Sequence, residues 1–346
     1  MNAESDKFAR HSPLSATVTV PRGAHSYPVG TVSDPIEYVF VLVPAFSMLA
    51  FTSAIEVLRV ANQLAGRGLY RWSVLSESGG PVASSNGLSI SCDGPLMRNI
   101  GHSRVFICSG VEPARNTSKS VWTWAARQWA FGAQMGGLCT GAFALAKAGI
   151  LAHARFTLHW ENVDGFREVF SQLSPTDHAY VVDGRVSTSA GGATSADLFL
   201  TTLQDDFGYN FAAVTREMMN ISDVRGPDAS QMISRAVTLN SRNSRLIEII
   251  GFIDANLEDN LQLDELAEHF LISRRQMERL FMKYIHKTPR QYINNARLDK
   301  ARRLLIETDL AVLDVAVASG FNSAANMSKL FRAKFGTSPH RLRKEK

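Results

Sequence analysis

The sequence predicts an α/β domain with a doubly wound, largely parallel sheet, followed by an all-α domain with two helix-turn-helix units. Three observations carry this. Over residues 35–207, short apolar runs rich in β-branched residues alternate with amphipathic segments, the order of an open α/β sandwich. From residue 246 onward the apolar residues recur with helical period only. Within that stretch one pattern occurs twice: Ser273, Met277, Leu280, Phe281, Ile285 and Pro289, then Ser323, Met327, Leu330, Phe331, Phe335 and Pro339, each offset by fifty. An offset kept this strictly marks one supersecondary unit used twice.

In order, residues 1–34 are polar with scattered Pro, Gly and Ser and predict a flexible tail. Glu37–Val43 is a continuous apolar run, read as a buried parallel strand. Ser53–Leu64 follows as a helix, with Ile55, Val57, Leu58, Val60 and Ala61 on one face. Strands are expected at Arg71–Leu75 and at Arg104–Cys108, the latter ending in Ser109-Gly110, and a helix at Val121–Phe131. Gln134–Leu138 reads as a strand running into Cys139, with a helix that Gly149 closes. Further strands are expected at Arg155–Leu158, Ala179–Val182 and Val186–Ser189, and a helix at Ser195–Phe207. Residues 208–245 predict a linker with partial helix, broken at Gly226-Pro227, and residues 246–346 the helical domain.

Composition narrows the function classes. The apolar share of 45% and charged share of 20% are those of a globular protein, and 346 residues suit two cores rather than one. The net charge of +5 is uneven: residues 242–346 carry nineteen Lys+Arg against thirteen Asp+Glu, leaving −1 for residues 1–241. A basic module attached to a neutral one is the balance of a nucleic-acid binder. Three cysteines form no disulfide framework, no apolar run approaches the ~18 residues that span a bilayer, and the start lacks a signal-peptide core. A cytoplasmic protein is expected, with no cofactor and no metal.

In the helical domain Asp264–Ala267 opens a short helix and Phe270–Ser273 makes the turn into the next, the helix-turn-helix plan. With Met277, Leu280, Phe281, Tyr284 and Ile285 inward, Arg274, Arg275, Gln276, Arg279 and Lys283 face out. Arginine reads guanine edges in the major groove and glutamine can pair with adenine. The second unit turns out Ala324, Ala325, Asn326, Lys329 and Arg332, with fewer charges. Between them Tyr292–Glu307 reads as a basic helix, with Arg297, Lys300, Arg302 and Arg303, able to hold two recognition helices about 34 Å apart. Arg275 and Arg279 are expected to read bases and Arg302 to touch phosphate. The segments Ile253–Asn256, Ser273–Phe281, Arg297–Arg302, Gly320-Phe321 and Phe335–Pro339 resemble the AraC/XylS-type DNA-binding domain over about 100 residues. That resemblance implies a sequence-specific transcription regulator, usually an activator working with RNA polymerase on direct-repeat half-sites in double-stranded DNA.

In the first domain Gly136-Gly-Leu-Cys139-Thr-Gly141 is a strand-to-helix turn with a cysteine at its apex. Such an elbow exposes its side chain at the carboxyl edge of the sheet, and a helix N-terminus lowers a thiol pKa. The constellation resembles the class I glutamine amidotransferase-like superfamily, including PfpI-type proteases. Those enzymes carry a His directly after the nucleophile, where this chain has Thr140, and a glutamate near the first helix, where the match falls around Ala50. Cys139 is therefore a small elbow residue or a ligand contact, and His159 a structural histidine or a partner to the thiol.

The whole order resembles the GlxA-like subgroup of AraC-type regulators, through stretches such as Phe46–Phe51, Glu56–Leu64, Cys139–Phe143, His159–Glu161 and Ser189–Thr194. It is similar to regulators of glycine betaine, carnitine and arginine catabolism. This implies a catalytically silent sensor for a small nitrogenous inducer, and a homodimer is expected through this domain. Ligands of doubly wound sheets sit at the carboxyl ends of the strands. The candidate ligand residues are Phe46, Gly110, Cys139, Thr140, His159, Trp160 and Glu161, the two aromatics offering faces to a quaternary ammonium or simply filling the core. The rival readings are a cysteine hydrolase or amidase fused to a DNA-binding domain, and a ligand-independent architectural DNA binder.

Overall fold

The structure is a computed structural model that describes residues 18–30, 33–97, 100–222, 224–226, 229–231 and 243–344. It divides into two units, one holding the chain to His159 and Leu173–Gln231, the other Trp160–Gln172 and the chain beyond Gln231. In chain order the strands are β1 (Ile36–Leu42), β2 (Tyr70–Ser76), β3 (Val82–Ala83), β4 (Ser89–Ile90), β5 (Gly94–Pro95), β6 (Arg104–Cys108), β7 (Gln134–Leu138), β8 (Tyr180–Asp183) and β9 (Val186–Ser189). The helices up to the same point are α1 (Met48–Ala65), α2 (Pro113–Asn116), α3 (Lys119–Ala130), α4 (Ala142–Lys147), α5 (Val163–Val169), α6 (Thr194–Phe207) and α7 (Tyr209–Met218).

The first unit is the expected doubly wound sheet. Its strand order is β5-β2-β1-β6-β7-β9-β8, parallel at every pairing but β8–β9, while β3 and β4 form a separate hairpin. The central strand β1 is apolar because both faces are covered, and Val39 to Leu42 are almost completely buried. Helix α1 starts at Met48, five residues before the pattern predicts, since the Ser47 side chain accepts from the Ala50 N–H as an N-cap. Asn62 on α1 is fully buried and fully used: its Oδ1 accepts from Leu69 N and Tyr70 N, and its Nδ2 donates to Tyr70 O. That side chain sets where β2 begins.

At the amino edge of the sheet, Arg104 holds Asp206 with both terminal nitrogens (2.6 and 2.7 Å) and donates to Tyr38 Oη, while Tyr70 Oη donates to Asp206. This half-buried clamp ties β6 to the end of α6 and is structural. Burial, then the Tyr38 phenol and the Asp206 carboxylate, push the Tyr70 hydroxyl far above its ordinary range, against the Arg104 charge.

Three expectations change. Arg155–Leu158 shortens to one isolated bridge, Thr157 with Thr176, and side-chain bonds supplement it: Thr157 N donates to Thr188 Oγ1, and Thr157 Oγ1 to the carbonyls of Thr176 and His178. In the expected tail, Tyr27 N donates to Leu64 O and its ring packs 5.7 Å from Phe211, so this part is anchored; residues 1–17 lie outside the described residues. In the expected linker, Tyr209–Met218 is helix α7, whose Phe211, Ala212 and Thr215 are buried; Pro227 and residues 232–242 lie outside the described residues.

The second unit continues with α8 (Ser244–Ala255), α9 (Leu263–His269), α10 (Arg274–Ile285), α11 (Pro289–Glu307), α12 (Val312–Ala318), α13 (Ala324–Phe335) and α14 (Pro339–Lys344). It has two cores. The first gathers Ile249, Ile253, Leu266, Met277, Phe281 and Ile293; the second gathers Leu298, Leu305, Val315, Phe321, Met327 and Phe331. Helix α11 serves both, Ile293 reaching one and Leu298–Leu305 the other. Helix α5 also belongs here: Asp164 accepts from Arg303 at 2.5 Å, and a Cβ on Gly165 would stand 2.5 Å from Glu307 Oε2.

Candidate ligand site and nucleic-acid interface

The elbow after β7 is built from glycines and one strained cysteine. Cys139 has φ 60°, a left-handed conformation that only glycine adopts without cost. A Cβ on Gly137 would stand 2.8 Å from Ala142 N, and one on Gly191 2.6 Å from Cys139 Cβ, so neither position tolerates a side chain. The bend is pinned by Cys139 N donating to Ser189 O (3.1 Å) and His159 N donating to Cys139 O (3.2 Å). Ala45, after β1, and Glu112, after β6, are also left-handed non-glycines. Backbone strain thus collects along the carboxyl edge of the sheet, where strain is a pointer to function.

The side chains there divide sharply. Thr140 is buried and its hydroxyl donates to Gly110 O at 2.7 Å, so it takes no part as a base for the thiol. Gly110 allows the chain after β1 to pass closely, since a Cβ there would stand 2.8 Å from Ser47 N. Phe46 is fully buried and meets Phe51 edge-on at 5.8 Å, which assigns its ring to the core rather than to a ligand face. Trp160 and Glu161 group with the second unit. Both are exposed. Burial, reinforced by Cys139, raises the thiol pKa of neighbouring Cys108. Asp197, in the first turn of α6, is pushed up to about 6, chiefly by burial and against the Arg225 backbone bond and charge.

One residue that the sequence places on this edge is not counted among the ligand candidates. Ser109 follows β6, is 1% exposed, and its Oγ has no hydrogen-bond partner among the described residues. Buried hydroxyls are nearly always bonded. Among the described residues, no group of three or more His, Cys, Asp or Glu side chains is placed to hold a metal, and no helix is long and apolar enough to cross a membrane.

In the second unit both recognition candidates are capped helices lying on buried Met and Phe. Ser273 caps α10 through Gln276 N, and Gln276 Oε1 accepts back from Ser273 N at 2.8 Å, a capping box. Gln276 therefore spends its acceptor on the helix start. Arg274 is also engaged, with Glu278 and Asp264 each at 3.2 Å. Arg275, Arg279 and Lys283 are exposed, and neither arginine is ion-paired among the described residues. On α13, Ala325, Asn326, Lys329 and Arg332 are exposed and Ala324 is half-buried.

The basic helix α11 is largely tied up. Arg297 Nε donates to Leu257 O, Lys300 holds Glu258 at 2.5 Å and Arg303 holds Asp164. Arg302 is exposed, with its guanidinium 5.6 Å from the Phe335 ring centre.

Residues 39–205 match the DJ-1/PfpI family and residues 266–345 a helix-turn-helix domain family. The chain is 40% identical over 303 residues to the HTH-type transcriptional regulator CdhR of Pseudomonas aeruginosa, covering 88% of this chain and 90% of that one. It is 35% identical over 306 residues to GbdR of the same species (88% and 83%) and 34% identical over 307 to GlxA of Rhizobium meliloti (88% and 94%), both HTH-type transcriptional regulators. Together with a parallel α/β unit and two capped helix-turn-helix units, this places the chain in the family of DNA-binding transcriptional regulators that join a DJ-1/PfpI domain to an AraC-type helix-turn-helix domain.

Proposed function

We propose that this regulator is an activator of a catabolic operon that responds to a small nitrogenous metabolite held at the carboxyl edge of its first unit. The observation that carries the reading is the Ser109 hydroxyl, buried beside a strained elbow with no partner among the described residues. Gly110, Cys139, Thr140 and His159 are proposed to line the same site. The inducer biases the arrangement of a homodimer in the cytoplasm, and with it the engagement of paired half-sites and RNA polymerase. Arg275 and Arg279 carry base readout; Lys283, Arg302, Lys329 and Arg332 supply phosphate contacts. A thermal-shift screen of the full chain across glycine betaine, carnitine, choline and arginine tests it. One compound is expected to raise the unfolding midpoint of wild type and to do so less for Ser109→Ala. No shift with any of them sinks the sensor reading and favours a ligand-independent DNA binder.

One observation favours a second reading, a cysteine hydrolase or amidase: Cys139 occupies the left-handed apex that nucleophile elbows use. Against it, Thr140 stands where the PfpI-type base belongs, and its hydroxyl is bonded to Gly110. Cys139→Ser separates the two. The sensor keeps DNA binding with a modest change in ligand response, whereas a hydrolase loses turnover.

A further inference from the structure

Between the two helix-turn-helix units lies a cleft of about 340 Å³. Helix α11 contributes Arg290, Asn294 and Arg297 to its wall, the second unit Asn322 and Asn326, and the segment before α9 Gln262. No Asp or Glu lines it. Arg290 and Asn294, four residues apart, share one face of α11 with Arg297 three further on. The two guanidinium groups feel each other: burial first, and then Arg290, lower the Arg297 pKa. Two cations beside five amide side chains, Asn260 being the fifth, and no carboxylate make a field that an anion relieves.

The position of the cleft says which anion. Asn326 lines it and is exposed on α13, the second recognition helix, so the cleft opens on the DNA-facing side of that helix. Two recognition helices set in successive major grooves leave one stretch of sugar-phosphate backbone facing whatever joins them. Here that is the start of α11, whose first turn adds the positive end of a helix dipole. Metabolite pockets are mostly apolar; this wall is mostly amide and guanidinium.

We infer that this cleft seats a backbone phosphate of the DNA between the two half-site contacts, with Arg290 as its cation, Asn294 and Asn326 as neutral donors, and Arg297 holding the wall in place. Arg297 is a positioning residue, because its Nε and Nη2 donate to Leu257 O and Asp259 O. The phosphate fixes register and carries no sequence information. The inference rests on the DNA-binding role of the family and adds residues outside both recognition helices.

The test is the salt dependence of full-chain binding, by fluorescence anisotropy, to a mixed-sequence duplex of about two helical turns and to a duplex selected for tight binding. Arg290→Ala is expected to weaken both by the same factor and to reduce the slope of log K against log salt by about 0.9. Arg290→Lys should restore the slope, and Asn294→Ala should lower affinity without changing it. An unchanged slope in Arg290→Ala, or a loss confined to one sequence, overturns the inference. So does a thermal shift of DNA-free protein by inorganic phosphate that Arg290→Ala abolishes while its DNA slope stays intact, since the site would then belong to a free anion. If wild type itself binds neither duplex, the DNA-binding reading fails instead.

Discussion

The two helix-turn-helix units share a scaffold but not a turn. Met277 and Phe281 are matched by Met327 and Phe331, all four completely buried, at an offset of fifty. The first helices instead match at forty-nine: Leu266 and Ala267 with Val315 and Ala316, and the bonds Ile272 N to Ala267 O and Phe321 N to Ala316 O. The second turn therefore holds one more residue between its helices. Both turns leave their first helix through a left-handed residue, but in the first this is Leu271, φ 53° and 88% exposed, and in the second Gly320, φ 76° and buried. Exposure lets the first unit carry a side chain at a strained position. The second has no such room, because it is wedged against the first.

The largest effect should come from that wedge. A Cβ on Gly320 would overlap the Leu257 carbonyl oxygen and stand 2.8 Å from Arg297 Nε, besides meeting the cost of positive φ. Gly320→Ala is expected to destabilise the second unit by about 3 kcal/mol or more, adding backbone strain to a steric clash. Hydrogen exchange should rise across α12 and α13 and in the segment around Leu257. The equivalent change in the first unit, Leu271→Ala, should leave exchange near wild type. Equal effects at the two positions would mean the units are not wedged.

Next in size is the difference between the outward faces. Arg275 and Arg279 on α10 stand where α13 has Ala325 and Lys329. Arg279→Ala should cost about 1–3 kcal/mol of binding and relax the preference at one base pair. Lys329→Ala should cost less and weaken all sequences alike. Competition binding against a randomised duplex library reads both. If Arg279→Ala leaves the preference intact, base readout lies elsewhere.

These contrasts show what a sequence of this kind reveals. The buried strands β1 and β6 were legible because two covered faces demand continuous apolar runs, and the paired helices because capping and an apolar stripe are local signals. The two-residue strands β3, β4 and β5 are too short to have a period. Sequence counted Arg274 and Gln276 among the outward residues; the pairing of Arg274 with Asp264 depends on how α9 and α10 meet, whereas Glu278 and the Ser273 backbone are partners within and at the start of α10. It named Phe46 as an aromatic near the elbow without its direction, which the core settles. Ser109 was placed at a strand end but not singled out, because a serine carries no pattern; its burial without a bond marks it.

The smallest effect lies at the other ends of the same helices. His286 closes α10 with φ 57° and Gly336 closes α13 with φ 71°, again fifty apart. Nothing stands within 4 Å of a Cβ built on Gly336, so space is not what selects glycine there. The left-handed conformation alone should make Gly336→Ala cost about 1 kcal/mol. The mirror change, His286→Gly, removes the same strain but lets the unfolded chain gain freedom worth roughly 0.4–1 kcal/mol, so the net gain should be a few tenths. Two small changes of opposite sign, read as denaturation midpoints, would show that α10 bears a strain α13 avoids. A cost for His286→Gly as large as that for Gly336→Ala would mean the imidazole holds the helix end by its own contacts, and the two C-caps would then be different devices on one scaffold.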